Sequence, residues 1–129
     1  MKVLVTGKDG QLGSEIKLLK NGDPNYFFVS SSDFDITIKE AIADFFLKKK
    51  YDLIINCAAY TSVDKAEEEI DMAYMVNSVG VANLVEVCKN NGMKLIHFST
   101  DYVFNGNGIK PYSETDRVEP TGVYGKSKR

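Results

Sequence analysis

The sequence predicts an α/β fold with a doubly wound parallel sheet, in which helices cover both faces of the sheet. Apolar, strand-like segments alternate with segments of helical spacing along the chain. The segment 52–56 is apolar on both faces, as a parallel strand between two helix layers should be. A glycine-rich turn follows the first strand. We predict strands near 2–6, 26–30, 52–56 and 94–99, in the order 3-2-1-4, because right-handed crossovers and a central first strand favour it.

The turn after the first strand carries three regularly spaced glycines. Val3 to Val5 are apolar, and Gly7, Gly10 and Gly13 then recur at every third position before a helix-like segment. Such a turn leaves backbone N–H groups and the positive end of a helix facing outward, where a pyrophosphate can bind. The pattern is one residue longer than the usual G-x-G-x-x-G fingerprint. It predicts a Rossmann-like dinucleotide site.

The second strand ends at Ser30, about where a site that prefers NAD carries an acidic residue for the ribose. Ser30 has no charge, so we expect little penalty for the 2′-phosphate of NADPH. No arginine stands nearby to bind that phosphate. Three loop serines without any ligand role explain Ser30 to Ser32 equally well.

The later elements place small and polar residues at strand ends. Ala58 and Ala59 follow the third strand and either leave room for a cofactor or allow close helix packing. A long helix is predicted from about 71 to 90, and within it Asn77 is expected to bond a backbone carbonyl of a neighbouring strand. His97, inside the fourth strand, is interpreted as a structural histidine.

The composition is that of a single globular domain. The 129 residues are 43% apolar and 26% charged, with a net charge of −2 and no basic stripe for nucleic acid. No apolar run approaches the roughly 18 residues of a membrane span, and the N-terminus enters a strand, so a cytoplasmic location is expected. Cys57 and Cys88 indicate neither a metal site nor a disulfide framework.

A hydroxyl and an amine lie four residues apart near the end of the chain. Tyr124 and Lys128 share a face if this segment is helical, and an ammonium beside a phenol favours the phenolate, as a general acid or base requires. Thr100, at the end of the fourth strand, could offer a third group to the same reacting oxygen.

Four stretches together resemble the extended short-chain dehydrogenases/reductases, and within them the dTDP-4-dehydrorhamnose reductases. The stretches are residues 7–13, 56–67, 99–106 and 124–128. The first and last are typical of the superfamily, and the middle two of the subfamily. The resemblance implies hydride transfer from NADPH or NADH to the 4-keto group of dTDP-4-dehydro-6-deoxy-L-mannose, giving dTDP-L-rhamnose.

The resemblance also implies roles for individual residues. Tyr124 would donate the proton, Lys128 would tune Tyr124, both would contact the cofactor, and Thr100 would bond the reacting oxygen. Thr100 and Asp101 would contact the sugar. The rest of the cofactor would lie against the glycine turn and three later segments: Gly7, Gly10, Gln11, Leu12, Gly13, Ser30, Asp35, Ile36, Ala58, Ala59 and Tyr60.

Two other functions are compatible with these motifs, and the chain length departs from the family pattern. A related sugar-nucleotide epimerase or dehydratase is one alternative, although Tyr102 stands where a dehydratase has its glutamate base. A non-catalytic subunit that keeps the fold, similar to the regulatory subunit of methionine adenosyltransferase, is the other. The family's chains are about twice as long. We therefore expect an incomplete NAD(P)-binding domain over 1–129, lacking the C-terminal substrate-binding part and inactive alone, with a homodimer as one option for the full-length parent.

Overall fold

A four-stranded parallel sheet forms the centre of the protein, and the computed structural model describes all of residues 1–129. The predicted parallel α/β architecture is confirmed. The strands, all within two residues of their predicted bounds, are β1 (Val3–Thr6), β2 (Tyr26–Val29), β3 (Leu53–Asn56) and β4 (Lys94–His97). The helices are α1 (Gln11–Leu19), α2 (Lys39–Lys48), α3 (Val63–Ala66), α4 (Ile70–Tyr74), α5 (Gly80–Asn91) and α6 (Val123–Lys128).

The predicted strand order 3-2-1-4 is wrong, because the sheet runs β2-β1-β3-β4. β3 pairs with β1, not with β2, so that Val3 faces Tyr26 on one side and Leu53 on the other. The residues between β2 and α2 form turns that bury Phe34 and Ile36 in the core and add no strand outside β2. The chain then crosses back over β1, whose four residues are all buried. The rule that crossovers are right-handed can be satisfied in either direction along the sheet, so it does not determine the strand order.

This order creates a switch point at β1. The connection from β1 leads to β2 on one side, whereas β3 and β4 lie on the other side. Right-handed crossovers in opposite directions place their helices on opposite faces of the sheet. In open α/β sheets a crevice forms at such a point, beyond the carboxyl ends of the strands. The corrected order therefore places a ligand crevice between the ends of β1 and β3.

The main core lies under α2 and α5. Leu4 and Ile54 from the two central strands are completely buried there against Ile42 of α2 and Leu84 of α5. The two helices are also joined at the surface by an ion pair between Lys39 and Glu86 at 2.8 Å. This packing fixes the sheet and the helices that flank its carboxyl edge.

The predicted long helix is confirmed as a continuous segment with a local irregularity. Between α4 and α5 the residues Met75–Val79 form a π-helical stretch. Such stretches insert one extra residue into a turn and often occur at functional sites. Asn77 lies in this stretch and is buried. None of the helices combines the length and the apolar character needed to cross a lipid bilayer.

Candidate functional site

Two of the three glycines in the turn occupy positions that only glycine tolerates. Gly7 has φ = +68°, and a Cβ there would lie 2.6 Å from the backbone nitrogen of Ala58. A Cβ on Gly13 would collide with the carbonyl oxygen of Gly7. These contacts let α1 begin directly against the end of β1. These contacts of Gly7 and Gly13 produce a tight turn and close packing of the helix on the strand.

Gly10 differs, since the space around it is open. A Cβ there would meet only the carbonyl oxygen of Gly7, at 3.4 Å. Gly10 precedes α1 and no side chain caps that helix. The first N–H groups of a helix have no carbonyl partner within it, so those of Gln11, Leu12 and Gly13 are free to bind an anion. The turn thus fits a pyrophosphate, because it offers donors and leaves room beside Gly10.

A cavity of about 360 Å³ extends from this turn across the carboxyl edge of the sheet. Most of the predicted cofactor residues line it: Gly7, Gly10, Ser30, Asp35, Ile36, Ala58, Ala59 and Tyr60. Gln11, Leu12 and Gly13 are not part of the lining and begin α1 beside it, and Tyr124 and Lys128 on α6 also lie outside the lining. The sequence analysis missed the remaining lining residues: Thr6, Asp9, Val29, Ser31, Phe34, Cys57, Met72 and Val76. The apolar ones could not be told from ordinary core residues.

One row of side chains at the carboxyl ends of the strands forms a buried polar network. Thr6, Asn56 and His97 are in register on β1, β3 and β4. Thr6 Oγ1 donates to Asn56 Oδ1 at 2.6 Å, and the same oxygen accepts from the Ala58 backbone N–H at 3.1 Å. Asn56 Nδ2 then donates to His97 Nδ1 at 3.1 Å. The network holds the strand ends and the cavity-lining residue Ala58 in place, and it needs a neutral His97.

We expect the pKa of His97 to lie below its usual value of about 6.5. Burial lowers this pKa most, and the positive charge of Lys128 lowers it further. The folded state therefore favours neutral imidazole, so this stabilisation is present above the usual pKa and is lost as pH falls through the folded pKa. His97 is the only histidine, so an NMR titration of its ring protons measures the value directly.

A second readout is the change in the urea unfolding midpoint between about pH 7.5 and about pH 5. His97→Gln is expected to remove part of this change. A His97 pKa at or above that of a free histidine would contradict the neutral network.

Asn77 joins the cavity to the helix that carries Tyr124 and Lys128. Its Oδ1 accepts from the backbone N–H of Tyr60 at 2.9 Å, and its Nδ2 donates to the Tyr60 carbonyl oxygen at 3.0 Å. Nδ2 also donates to Ser127 Oγ at 3.0 Å. Ser127 Oγ in turn donates to the carbonyl oxygen of Tyr124 at 2.8 Å. The predicted bond to backbone is confirmed, although the backbone belongs to the loop after β3.

Replacing Asn77 with alanine is expected to lower the free energy of unfolding by about 2 kcal/mol, because the partly buried backbone N–H and carbonyl groups of Tyr60 lose their partners. Urea unfolding measures this change. Ser78→Ala is the matched control, since Ser78 is exposed on the same π-helical stretch. A loss for Asn77→Ala no larger than that of the control would mean that the side chain does not hold the loop.

Tyr124 and Lys128 lie on the short helix α6, as their spacing predicts. Lys128 Nζ donates to the Phe98 carbonyl oxygen at 2.7 Å, at the end of β4. Burial lowers the pKa of Lys128. The Tyr124 ring meets the Tyr102 ring edge-on, with centroids 5.6 Å apart. The lysine therefore fixes α6 against the strand end that leads to Thr100.

Other contacts hold α6 at its beginning and along its length. Glu67 Oε1, which follows α3, accepts from the backbone N–H of Val123 at 2.7 Å. A carboxylate at this end also interacts favourably with the helix dipole. Gly125 packs directly on the carbonyl oxygen of Tyr102, where a Cβ would collide. Sequence analysis did not assign these supporting roles, because the partners are distant along the chain.

Thr100 and Asp101 lie next to this helix and outside the cavity lining. Thr100 Oγ1 accepts from the Tyr102 N–H at 3.3 Å and donates to Asp101 Oδ1 at 3.2 Å. Thr100 thereby caps the short 3₁₀ turn Asp101–Val103, on which Tyr102 meets Tyr124. The structure thus brings Thr100, Asp101, Tyr124 and Lys128 to one group beyond β4. The cavity is linked to this group through Tyr60 and Asn77.

A charged group stands at the end of β2, where the sequence analysis placed only the uncharged Ser30. Asp33 Oδ2 accepts from Ser30 N at 2.7 Å, from Ser30 Oγ at 2.9 Å and from Lys8 Nζ at 2.7 Å. These donors hold the pKa of Asp33 well below its usual range. Asp33 follows Gly13 by the spacing expected of an acidic ribose ligand, a signal that sequence analysis could have used.

The whole chain, residues 1–129, matches the family model described as the RmlD substrate binding domain. The spore coat polysaccharide biosynthesis protein SpsK of Bacillus subtilis is 40% identical over 129 residues, covering 99% of this chain and 46% of the relative. The structure of a dTDP-4-dehydrorhamnose reductase from Clostridium acetobutylicum has a TM-score of 0.95 and 43% identity, covering 99% of this chain and 46% of that one.

A third similar protein has a bound dinucleotide. The dTDP-4-dehydrorhamnose reductase of Bacillus anthracis, in complex with NADP, has a TM-score of 0.90 and 37% identity, covering 99% of this chain and 47% of that one. This chain thus spans less than half the length of the proteins it matches. The two similar reductase structures confirm the resemblance to the dTDP-4-dehydrorhamnose reductases that the sequence motifs indicate. The chain belongs to the RmlD substrate binding domain family.

Proposed function

We propose that this chain binds NADPH or NADH and supplies the proton-donating group for reduction of the 4-keto group of dTDP-4-dehydrorhamnose. The observation that carries the proposal is the cavity at the switch point of the sheet, which starts at the glycine turn. From there Tyr60 and Asn77 connect it to the helix of Tyr124 and Lys128. The similarity to the two dTDP-4-dehydrorhamnose reductases supports this substrate class.

The cofactor would lie along the cavity from the end of β2 to the loop after β3. The free N–H groups at the start of α1 would bind its pyrophosphate, and the open side of Gly10 would admit it. Asp35 and Ile36 would contact the adenine end, with Ser30 at the ribose, and Ala58, Ala59 and Tyr60 would line the middle. The reduced nicotinamide supplies the hydride.

Tyr124 would protonate the oxygen of the substrate carbonyl as that carbon gains the hydride. Lys128 carries a positive charge on the same helix and would stabilise the phenolate that remains. The backbone bond from Lys128 to Phe98 keeps the ammonium near the end of β4. Thr100 would donate a hydrogen bond to the reacting oxygen, and with Asp101 it would contact the sugar. Tyr124, Lys128 and Thr100 are thus the proposed catalytic residues.

The location and the assembly of the protein are two further parts of the proposal. A nucleotide-linked sugar and a nicotinamide cofactor are both expected in the cytoplasm, where we place the protein. A homodimer is the proposed assembly for a full-length protein of this family, and the substrate is its small-molecule partner.

A chimera tests the proposed function. Residues 1–129 replace the matching part of the Clostridium acetobutylicum reductase, and oxidation of NADPH is followed with dTDP-4-dehydrorhamnose as the substrate. We expect the chimera to turn over and the 129-residue chain alone to bind the cofactor with negligible turnover. A folded chimera that binds NADPH without reducing the sugar would contradict the assignment of Tyr124, Lys128 and Thr100.

A further inference from the structure

Tyr60, on the cavity wall, is held at both ends by one helical segment. Asn77 bonds the backbone N–H and the carbonyl oxygen of Tyr60. At the far end of the side chain, the Tyr60 hydroxyl donates to Glu69 Oε2 at 2.7 Å. Glu69 directly precedes α4, and Asn77 lies in the π-helical stretch that continues α4. The Tyr60 side chain therefore runs back along this segment, from Asn77 toward its N-terminal end.

The same helical segment forms the adjoining part of the cavity wall. Met72 and Val76 are one turn apart on it, and both line the cavity together with Tyr60. Glu69 precedes them by three and seven residues, a spacing that places all three on one face of a helix. The hydroxyl bond thus holds the Tyr60 ring along the face that lines the cavity. Without this bond the ring is free to rotate about its side-chain torsions beside the space proposed for the dinucleotide.

The Glu69 carboxylate is itself fixed in place. Lys65 Nζ contacts Glu69 Oε1 at 2.9 Å, which leaves Oε2 for the phenol. The bond from Lys65 lowers the pKa of Glu69 most, and the bond from Tyr60 lowers this pKa further. The carboxylate is therefore ionised at neutral pH, and hydrogen bonds to ionised groups are stronger than those between neutral groups. The Lys65 and Glu69 side chains are 64% and 41% exposed, so this ion pair contributes little to the stability of the fold.

We propose that Glu69 is a positioning residue of the dinucleotide site, which acts through the Tyr60 hydroxyl to fix the Tyr60 ring as a wall of the cavity before the cofactor binds. The inference rests on the proposed dinucleotide binding and adds to it a residue outside the cavity lining. Glu69 takes no part in hydride or proton transfer. Its effect is to remove the entropy cost of ordering the Tyr60 side chain when the dinucleotide binds.

Calorimetric titration of the 129-residue chain with NADH tests this role. Glu69→Ala is expected to weaken NADH binding by about fivefold, the cost of immobilising one side chain on binding. Its urea unfolding midpoint should stay close to that of Glu68→Ala, the matched control, since Glu68 is the exposed neighbour and has no ion pair. Glu69→Gln keeps an oxygen that accepts from the phenol, so this conservative variant should retain most of the affinity.

Tyr60→Phe completes a double-mutant cycle. It removes the same hydrogen bond from the other side and keeps the ring, so it should weaken NADH binding by about the same factor as Glu69→Ala. The double variant should bind NADH about as well as either single variant, because both changes remove one shared interaction. Tyr60→Phe also tests the proposal if Glu69→Ala fails to fold.

Equal NADH affinity in Glu69→Ala and Glu68→Ala, or losses for Glu69→Ala and Tyr60→Phe that multiply in the double variant, would overturn the inference while leaving dinucleotide binding intact. Absence of NADH binding by the folded wild-type chain would contradict both the inference and the proposed function.

Discussion

Gly13→Ala is expected to lower the free energy of unfolding by about 3 kcal/mol or more, one of the largest effects of any single methyl group in this chain. The added Cβ would collide with the Gly7 carbonyl oxygen and lie 2.8 Å from the Gly7 carbonyl carbon. Both atoms belong to the backbone of a turn whose φ value is already in the left-handed region. Neither can move unless β1 and α1 separate. Urea unfolding followed by circular dichroism measures the loss.

Gly10→Ala provides the matched comparison within the same turn. Its Cβ would be 3.4 Å from one carbonyl oxygen and otherwise in open space, so the variant should fold with nearly wild-type stability. The same methyl group would occupy the space proposed for the pyrophosphate, so dinucleotide affinity should fall by about tenfold or more. Equal stability of the two variants would contradict the packing described for Gly13.

Tyr124→Phe is expected to reduce kcat by about 10²- to 10⁴-fold, the contribution typical of a positioned general acid. The experiment uses the chimera with the Clostridium acetobutylicum reductase, of whose chain residues 1–129 match 46%. The variant keeps the ring and its edge-on contact with Tyr102, so α6 should remain in place. Cofactor affinity should change much less than kcat, since the remaining phenyl ring keeps the expected contact of residue 124 with the cofactor and only the hydroxyl is lost. Steady-state kinetics and a separate NADPH titration distinguish the two effects.

Tyr102→Phe is the control for this prediction. Tyr102 lies on the 3₁₀ turn Asp101–Val103 and is 51% exposed, and its ring contacts Tyr124. Loss of its hydroxyl should leave kcat within about threefold of wild type, as expected for a surface group outside the proposed chemistry. A Tyr124→Phe chimera with wild-type kcat would exclude Tyr124 as the proton donor.

The elements that sequence reasoning predicted are those set by local chemistry. The apolar run at Val3 to Val5 and the spacing of Gly7, Gly10 and Gly13 determine a strand and a turn within a few residues. The strand order was wrong because periodicity does not report which strands are neighbours. The pairing of Val3 with Leu53 depends on a crossover over β1 that both handedness and apolar patterning allow.

Several residues of the candidate site were predicted from the sequence, but the contacts between residues far apart in the chain were not. Tyr124 and Lys128 were singled out by their spacing together with the glycine turn and Thr100, and their roles came from the family resemblance. Their support comes from Glu67 and Asn77, which are 56 and 50 residues away from their partners on α6. Asp33 was missed for a different reason: its spacing from Gly13 was a usable signal, but the ribose position was assigned to Ser30 instead. The turn after β2 then brings the Asp33 carboxylate back to Ser30.

The measurement that tests the central claim most directly is a calorimetric titration of the 129-residue chain with NADH. We expect saturable binding at one site per chain. Gly10→Ala should weaken this binding while unfolding at nearly the same urea concentration as wild type. Absence of binding by the folded wild-type chain, or equal affinity in wild type and Gly10→Ala, would contradict the assignment of the glycine turn as the dinucleotide site.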